Sequence, residues 1–244
     1  GDIGNARAVI EPVIATAPTG FMRAVVINIV AATHLYDESY ALAAAALTTI
    51  LDDARPNPAV LAQTLLSLAM AEGMSGQFEA ALTHADEAVE AARMSGSAEL
   101  ESQTLAMWTT LKHAQGHGLD DAALQRAVEL EDPGSDGPVP FSASAVRALL
   151  AGWSGDLQYA DEQMDQVARR CADRGAESDM MWVTAHRTFI AVWRGQYLKA
   201  AGHAAELLER AEQLGGNNLL LIAGMLNTVV AAYTGREADA RAWS

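Results

Sequence analysis

The chain has little of what marks out most enzymes and nucleic-acid-binding proteins. Cysteine occurs once, at Cys171, which excludes a disulfide framework. Aromatic residues make up 6% and charged residues 19%. Bases are the scarcer charge: 16 lysines and arginines stand against 31 aspartates and glutamates, a net charge of −15. A phosphate backbone would be repelled by such a surface, so the segment is not expected to wrap nucleic acid. No apolar run reaches the roughly 18 residues needed to span a bilayer, and no membrane association is expected. The longest candidate, 24–35, is interrupted by Asn28, Thr33 and His34.

What the sequence does have is alanine, 50 of 244 residues. Alanine is the best helix former and is depleted in strands, so the chain reads as all-α. Half of the residues are hydrophobic, enough to exclude disorder. The chain opens Gly1-Asp2-Ile3-Gly4 and closes Ala242-Trp243-Ser244, with no initiating methionine or signal peptide. The expectation is a single repeat domain over 1–244 that is an internal fragment of a larger, cytoplasmic, bacterial protein.

One pattern recurs: a glycine, four residues, then an alanine that opens an apolar stripe. It stands at Gly1–Ala6, Gly76–Ala81, Gly118–Ala123, Gly155–Ala160, Gly195–Ala200 and Gly235–Ala240. A copy at Tyr36–Ala41 has lost its glycine. The spacing is near 40 residues, the signature of a repeat array. Four residues before the anchors stand Ala32, Ala114, Ala151, Ala191 and Ala231, with Glu72 the exception; two before stand His34, Met74, Trp153, Trp193 and Tyr233, with Gly116 the exception. A small residue lets two helices approach, a large one fills space beside the turn, and glycine accepts the left-handed backbone that ends a helix. Each repeat therefore reads as a helix, a tight turn and an antiparallel helix. Helices are expected near 3–16, 20–35, 38–54, 58–74, 77–94, 97–115, 120–131, 141–153, 157–173, 178–193, 197–214 and 217–233, with another starting at 236. Thr19, Asn57, Ser97, Ser178 and Asn217 are the candidate N-caps.

The cores Gly76-Gln77-Phe78-Glu79-Ala80-Ala81 and Gly195-Gln196-Tyr197-Leu198-Lys199-Ala200 resemble tetratricopeptide repeats. Two features depart from that family: the period is near 40 rather than 34, and the closing proline is mostly missing. Longer, alanine-rich repeats of this kind look like the sensor region of MalT-like bacterial regulators of the LuxR family. That resemblance implies a right-handed superhelical array of antiparallel helix pairs. It also implies flanking ATPase and DNA-binding domains, so that DNA is met only outside this segment. Related arrays occur in bacterial kinases and cyclases with the same ATPase module.

No catalytic motif is present. There is no phosphate-binding G-x-x-x-x-G-K-[ST] loop, no H-E-x-x-H and no nucleophile elbow; Gly152-Trp153-Ser154-Gly155 is one residue short of the last and reads as a repeat turn. His113 and His117 are four apart, but Gly116 and Gly118 break the helix and no third ligand is signalled, so no metal is expected. Cys171 beside Arg169 and Arg170 reads as a partly buried bystander. The acidic pairs Asp52-Asp53, Asp120-Asp121 and Glu131-Asp132 read as caps and solvated ends. The loop 132–140 reads as a linker, with a calcium or partner loop as the alternative. No catalytic residue and no cofactor is assigned, and the segment is not expected to be an enzyme. A helical-toroid enzyme would need inward carboxylates in several repeats, and the anchors show none.

Eight residues before the anchors stand Asn28, Leu68, Thr110, Arg147, Arg187 and Asn227. Five of the six are polar, in the middle of first helices, which line the concave face of a solenoid. The stripe is therefore the candidate site, for a protein partner or a small-molecule effector. Arg147 and Arg187, one repeat apart, would clamp an anion. The competing reading is structural, with these side chains pairing to acids such as Glu72 or Glu177. Trp108, Trp153, Trp182, Phe189, Trp193 and Tyr233 read mostly as inter-helix core, with Trp182 and Trp153 as possible walls of the groove. Two functions follow: a ligand- or protein-binding sensor module of a LuxR-family transcriptional regulator, or a tetratricopeptide adaptor with no role in transcription.

Overall fold

The computed structural model describes residues 19–37, 39–215 and 217–242. The expected helix over 3–16 and the anchor at Gly1 lie outside the described residues. Among the described residues every element is helical and no strand occurs. They fall into two compact units, 19–137 with 141–146, and 138–140 with 147–242.

The first unit holds α1 (Phe21–Tyr36), α2 (Tyr40–Thr48), α3 (Leu51–Ala54), α4 (Pro58–Met74), α5 (Phe78–Ser95), α6 (Ala98–Ala114) and α7 (Asp121–Leu130). A single 3-10 turn (Val139–Phe141) follows, and then α8 (Ala143–Trp153), whose last seven residues belong to the second unit. The second unit continues with α9 (Leu157–Arg174), α10 (Glu177–Trp193), α11 (Tyr197–Leu214), α12 (Asn217–Tyr233) and α13 (Glu237–Ala242).

Helix starts are chosen by local chemistry. Pro58 occupies the first position of α4, where no N–H is needed, and Asn57 Oδ1 accepts from Ala59 and Val60 at 3.1 and 3.2 Å. Ser97, Asp120 and Asp156 cap α6, α7 and α9 in the same way. Such a cap contributes about 1 kcal/mol. Ser178 and Thr19 are not caps: α10 starts one residue before Ser178, after Ala176, and Gly20 holds the cap position of α1. Asn217 lies at the start of α12 rather than before it. The helix expected over 38–54 is two helices. Thr48, Thr49 and Ile50 are β-branched in succession, and both threonine hydroxyls donate back to carbonyls, Thr48 to Ala44 and Thr49 to Ala46.

The turns give the true repeat register. At Gly155, Gly195 and Gly235, φ is 94°, 70° and 70°. The amide after each glycine donates to the carbonyl four residues before it: Asp156 to Ala151, Gln196 to Ala191 and Arg236 to Ala231, at 2.9, 2.8 and 2.9 Å. Gln77 donates to Glu72 around Gly76 in the same way, at 2.8 Å. This is the Schellman closure, which only a left-handed residue permits. Two anchors read from the sequence are corrected by it. His117 donates to Lys112 around Gly116, so Gly116 rather than Gly118 is the repeat glycine. Ser39 donates to His34 at 2.8 Å, which aligns Ser39 with Gln77 and moves the Tyr36 anchor to position 38. The packing agrees, since Ala43 is fully buried while Ala41 is exposed.

Alanine builds the interface between paired helices. Ala81, Ala160 and Ala200, five residues past their glycines, are all fully buried, as is Ala191. Within the first unit α4 packs on α5, α5 on α6 and α6 on α7, and within the second α9 to α13 each pack on the next; first helices also touch the following first helix, α4 on α6 and α10 on α12. At Gly73 the approach is tightest, since a methyl there would lie 2.8 Å from Leu111 Cδ2. Ala191 lies in a cluster with Val192, Ala200, Ala204 and Val230. Ala191→Leu should overpack this cluster and destabilise the protein by roughly 1–3 kcal/mol, read as a lower urea midpoint. An unchanged midpoint would contradict the packing described.

Candidate functional site

The corrected register divides the polar stripe. Relative to the repeat glycines, position −8 is held by Val30, Leu68, Trp108, Arg147, Arg187 and Asn227. Asn28 and Thr110 are therefore not equivalent to the others, because each was aligned to an anchor two residues from the real turn. Asn28 donates to the Thr64 hydroxyl at 2.8 Å and to the Ala24 carbonyl at 2.9 Å, which ties α1 to α4. Thr110 donates to its own helix, at Ala106. In the second unit the stripe is real, and Arg147, Arg187 and Asn227 occupy it on α8, α10 and α12.

Two of these three are engaged internally. Asn227 donates to the Ala204 carbonyl of α11 and to Ala223, both at 2.9 Å. Arg187 lies 2.9–3.0 Å from Asp165 Oδ1 of α9, through Nε and a terminal nitrogen. The acid is Asp165 and neither Glu72, which meets His84, nor Glu177, which meets Arg210. Arg187 belongs to a chain of charges across α9, α10 and α11. Lys199 bridges Asp165 at 3.8 Å and Asp161 at 2.7 Å, and Arg194 completes the chain on Asp161.

Arg147 differs. It is partly buried, its Nε is enclosed without a hydrogen-bond acceptor, and among the described residues no carboxylate pairs with it. Its guanidinium lies 5.8 Å from the Tyr159 ring, at the outer range of a cation–π contact. Asp165, which neutralises Arg187, stands ten residues after Gly155; in the sequence, ten residues after Gly116 is Arg126 and ten after Gly118 is Val128, neither of them an acid.

The aromatic residues also depart from the sequence reading. Trp153, Trp193 and Tyr233, at position −2, are 42%, 46% and 60% exposed rather than core. At that position the first helix is ending and its side chains leave the helix pair. Tyr197 stacks on Tyr233, with ring centroids 5.7 Å apart, and Phe189 on Trp193, also at 5.7 Å. Trp182 is partly buried, packs against the cluster of Ala148, Leu149, Ala160, Met164 and Ile190, and holds the His186 ring at 4.0 Å.

Two histidines are held neutral. His186 donates from Nδ1 to the Trp182 carbonyl, and desolvation pushes its pKa down to about 4. His203 falls to about 4 as well, first through burial and then through the positive charges of Arg187 and Lys199, which outweigh Glu206 and Asp165. Cys171 is buried, and burial with the Asp179 charge raises its thiol pKa, as for a packing residue rather than a nucleophile. Among the described residues no cluster of three or more His, Cys, Asp or Glu is placed to hold a metal, and no helix is long and apolar enough to cross a membrane. The loop after α7 is tied down from inside: Glu131 accepts from Ser142 and Ser144, and Ser135 donates to Glu99.

Fold and site together define an all-α protein of stacked helix pairs. No protein-family model matches the chain, and no curated protein matches it. Among solved structures it is similar to the crystal structure of BtubC (BKLC) from P. vanneervenii, at 12% identity and a TM-score of 0.39, over 99% of this chain and 85% of that one. A likeness of that degree carries no functional argument.

Two outcomes are expected. Arg187→Ala should cost about 1–2 kcal/mol in urea denaturation, below the 3–5 of a fully buried pair, because Asp165 is partly solvated and keeps Lys199. Stability should also fall as pH drops from about 6.5 through about 4, because the unfolded chain binds protons at the two histidines before the folded chain does. The effect is on the order of 3 kcal/mol for each histidine. His186→Gln and His203→Gln should each flatten the pH dependence of the urea midpoint.

Proposed function

We propose that the chain is a binding module that recognises an acidic group through Arg147, and that it serves as the sensor or scaffold part of a LuxR-family, MalT-like transcriptional regulator. The observation that carries the binding reading is the contrast between equivalent positions. Arg187 and Asn227 are satisfied by neighbouring helices, whereas among the described residues Arg147 keeps a partly buried guanidinium with no counter-charge. A guanidinium without a carboxylate is costly to hold in such a place, and a ligand carboxylate or phosphate would supply the missing pair. In a chain with 31 acids against 16 bases, Arg147 gives an acidic ligand a local attraction that the net negative surface does not offer elsewhere.

The regulator reading rests on the tetratricopeptide-like helix pairs, their 40-residue period and their alanine-rich interfaces. On this reading the segment has no catalysis of its own. Its ligand would act by preferring one arrangement of the flanking ATPase and DNA-binding domains. The alternative is a tetratricopeptide adaptor without a role in transcription. The coding sequence on either side separates the two: a phosphate-binding loop upstream and a helix-turn-helix downstream belong to the regulator, and neither belongs to the adaptor.

The binding reading is tested with a library of acidic and amidated peptides on the intact chain. Arg147→Ala should weaken capture of the best acidic peptide tenfold or more, with unchanged helicity and a urea midpoint no lower than that of the wild type. Equal binding by wild type and Arg147→Ala would remove Arg147 from the site.

A further inference from the structure

We propose a second binding site, in the first unit, that takes the arginine side chain of a partner peptide. The site is a cavity of about 410 Å³ between α5, α6 and α7. Val89, Leu105 and the Trp108 indole give it apolar lining, and Asp86 and Asp120 line it as well. Trp108 is the position −8 residue of its repeat, equivalent to Arg147 and Arg187, and it faces this cavity.

The charges around the cavity do not balance. Arg93 is held by Glu90 at 2.7 Å, and Arg126 lies 3.7 Å from Glu101. Lys112 lies 3.5 Å from Asp120 and 4.1 Å over the Trp108 ring. That leaves Asp86. It accepts the Trp108 indole N–H, a neutral donor, on Oδ1, and among the described residues no cation pairs with it. The cavity therefore presents one uncompensated carboxylate against an aromatic wall whose cation affinity the chain's own Lys112 already displays. An arginine suits this combination. Its aliphatic stem lies on Val89 and Leu105, and its planar guanidinium both meets a carboxylate and stacks on an indole. The net charge of −15 adds attraction for a basic partner at longer range. This site is independent of Arg147, and it selects the opposite charge.

The test uses the intact chain and two capped pentapeptides, Ala-Ala-Arg-Ala-Ala and the same peptide with neutral citrulline in place of arginine. The readout is the Trp108 indole N–H signal in nitrogen–proton NMR, assigned by its loss in Trp108→Phe. The arginine peptide should shift this signal saturably, and the citrulline peptide should bind at least tenfold more weakly. Asp86→Asn should weaken the arginine peptide at least tenfold, whereas Lys112→Gln, which removes the internal competitor for the indole, should tighten it. A fold defect would not produce effects of opposite sign. Glu209→Gln, an equal charge change on α11, should leave binding unchanged. Equal binding of the two peptides, no saturable shift, or an equal loss in Glu209→Gln and Asp86→Asn would each overturn the proposal.

Discussion

The structure depends on one recurring hydrogen bond. After every first helix from α4 onward the chain turns through a glycine of positive φ, and the next amide donates back to the carbonyl four residues before that glycine. The bond satisfies a carbonyl that the helix end would otherwise leave open, and it sends the chain back antiparallel after a single residue of left-handed backbone. Because the turn is so short, the second helix starts at a constant distance from it. α5, α9, α11 and α13 all begin two residues past their glycines. The one exception has two glycines, Gly116 and Gly118, both with positive φ, and there α7 starts five residues past the first.

A constant start makes the packing periodic. At Gly76, Gly155 and Gly195 the residue five past the glycine is Ala81, Ala160 or Ala200, each fully buried, and there the backbones approach closely. This is why a chain with so few aromatics can still bury its helices. Small side chains leave little volume to fill, and Leu65, Leu66, Leu68, Leu150, Ile190, Leu207 and Leu226 are enough to fill it. The aromatic residues are released from the core, and Trp153, Trp193 and Tyr233 recur at the exposed ends of successive first helices.

The same periodicity explains the electrostatics. Where a repeat supplies an acid at the matching place on a neighbouring helix, a cation is neutralised, as Arg187 is by Asp165. Where it does not, a charge is left over: among the described residues Arg147 lacks a carboxylate and Asp86 lacks a cation. In a repeat array the mismatched positions are the informative ones, because regular neighbours show what the local geometry would have accommodated. Both candidate sites arise in this way, one on each unit and with opposite charge preference.

Composition and spacing by themselves determined the helical class, the near-40-residue period, the turn glycines at 76, 155, 195 and 235, and the alanine interfaces. These follow from local propensity and from the backbone freedom of glycine, which act through a few neighbouring residues. The register at Gly116 and at position 38 was not legible, since Gly118-x4-Ala123 and Tyr36-x4-Ala41 satisfy the same spacing as the real turns. Only the direction of a backbone hydrogen bond separates them. That two-residue difference admitted Asn28 and Thr110 to the stripe and concealed Trp108. The distinction between Arg147 and Arg187 was equally hidden. The two residues are alike in sequence context, and what separates them is whether a carboxylate on another helix lies within 3 Å, which only the packed tertiary structure decides.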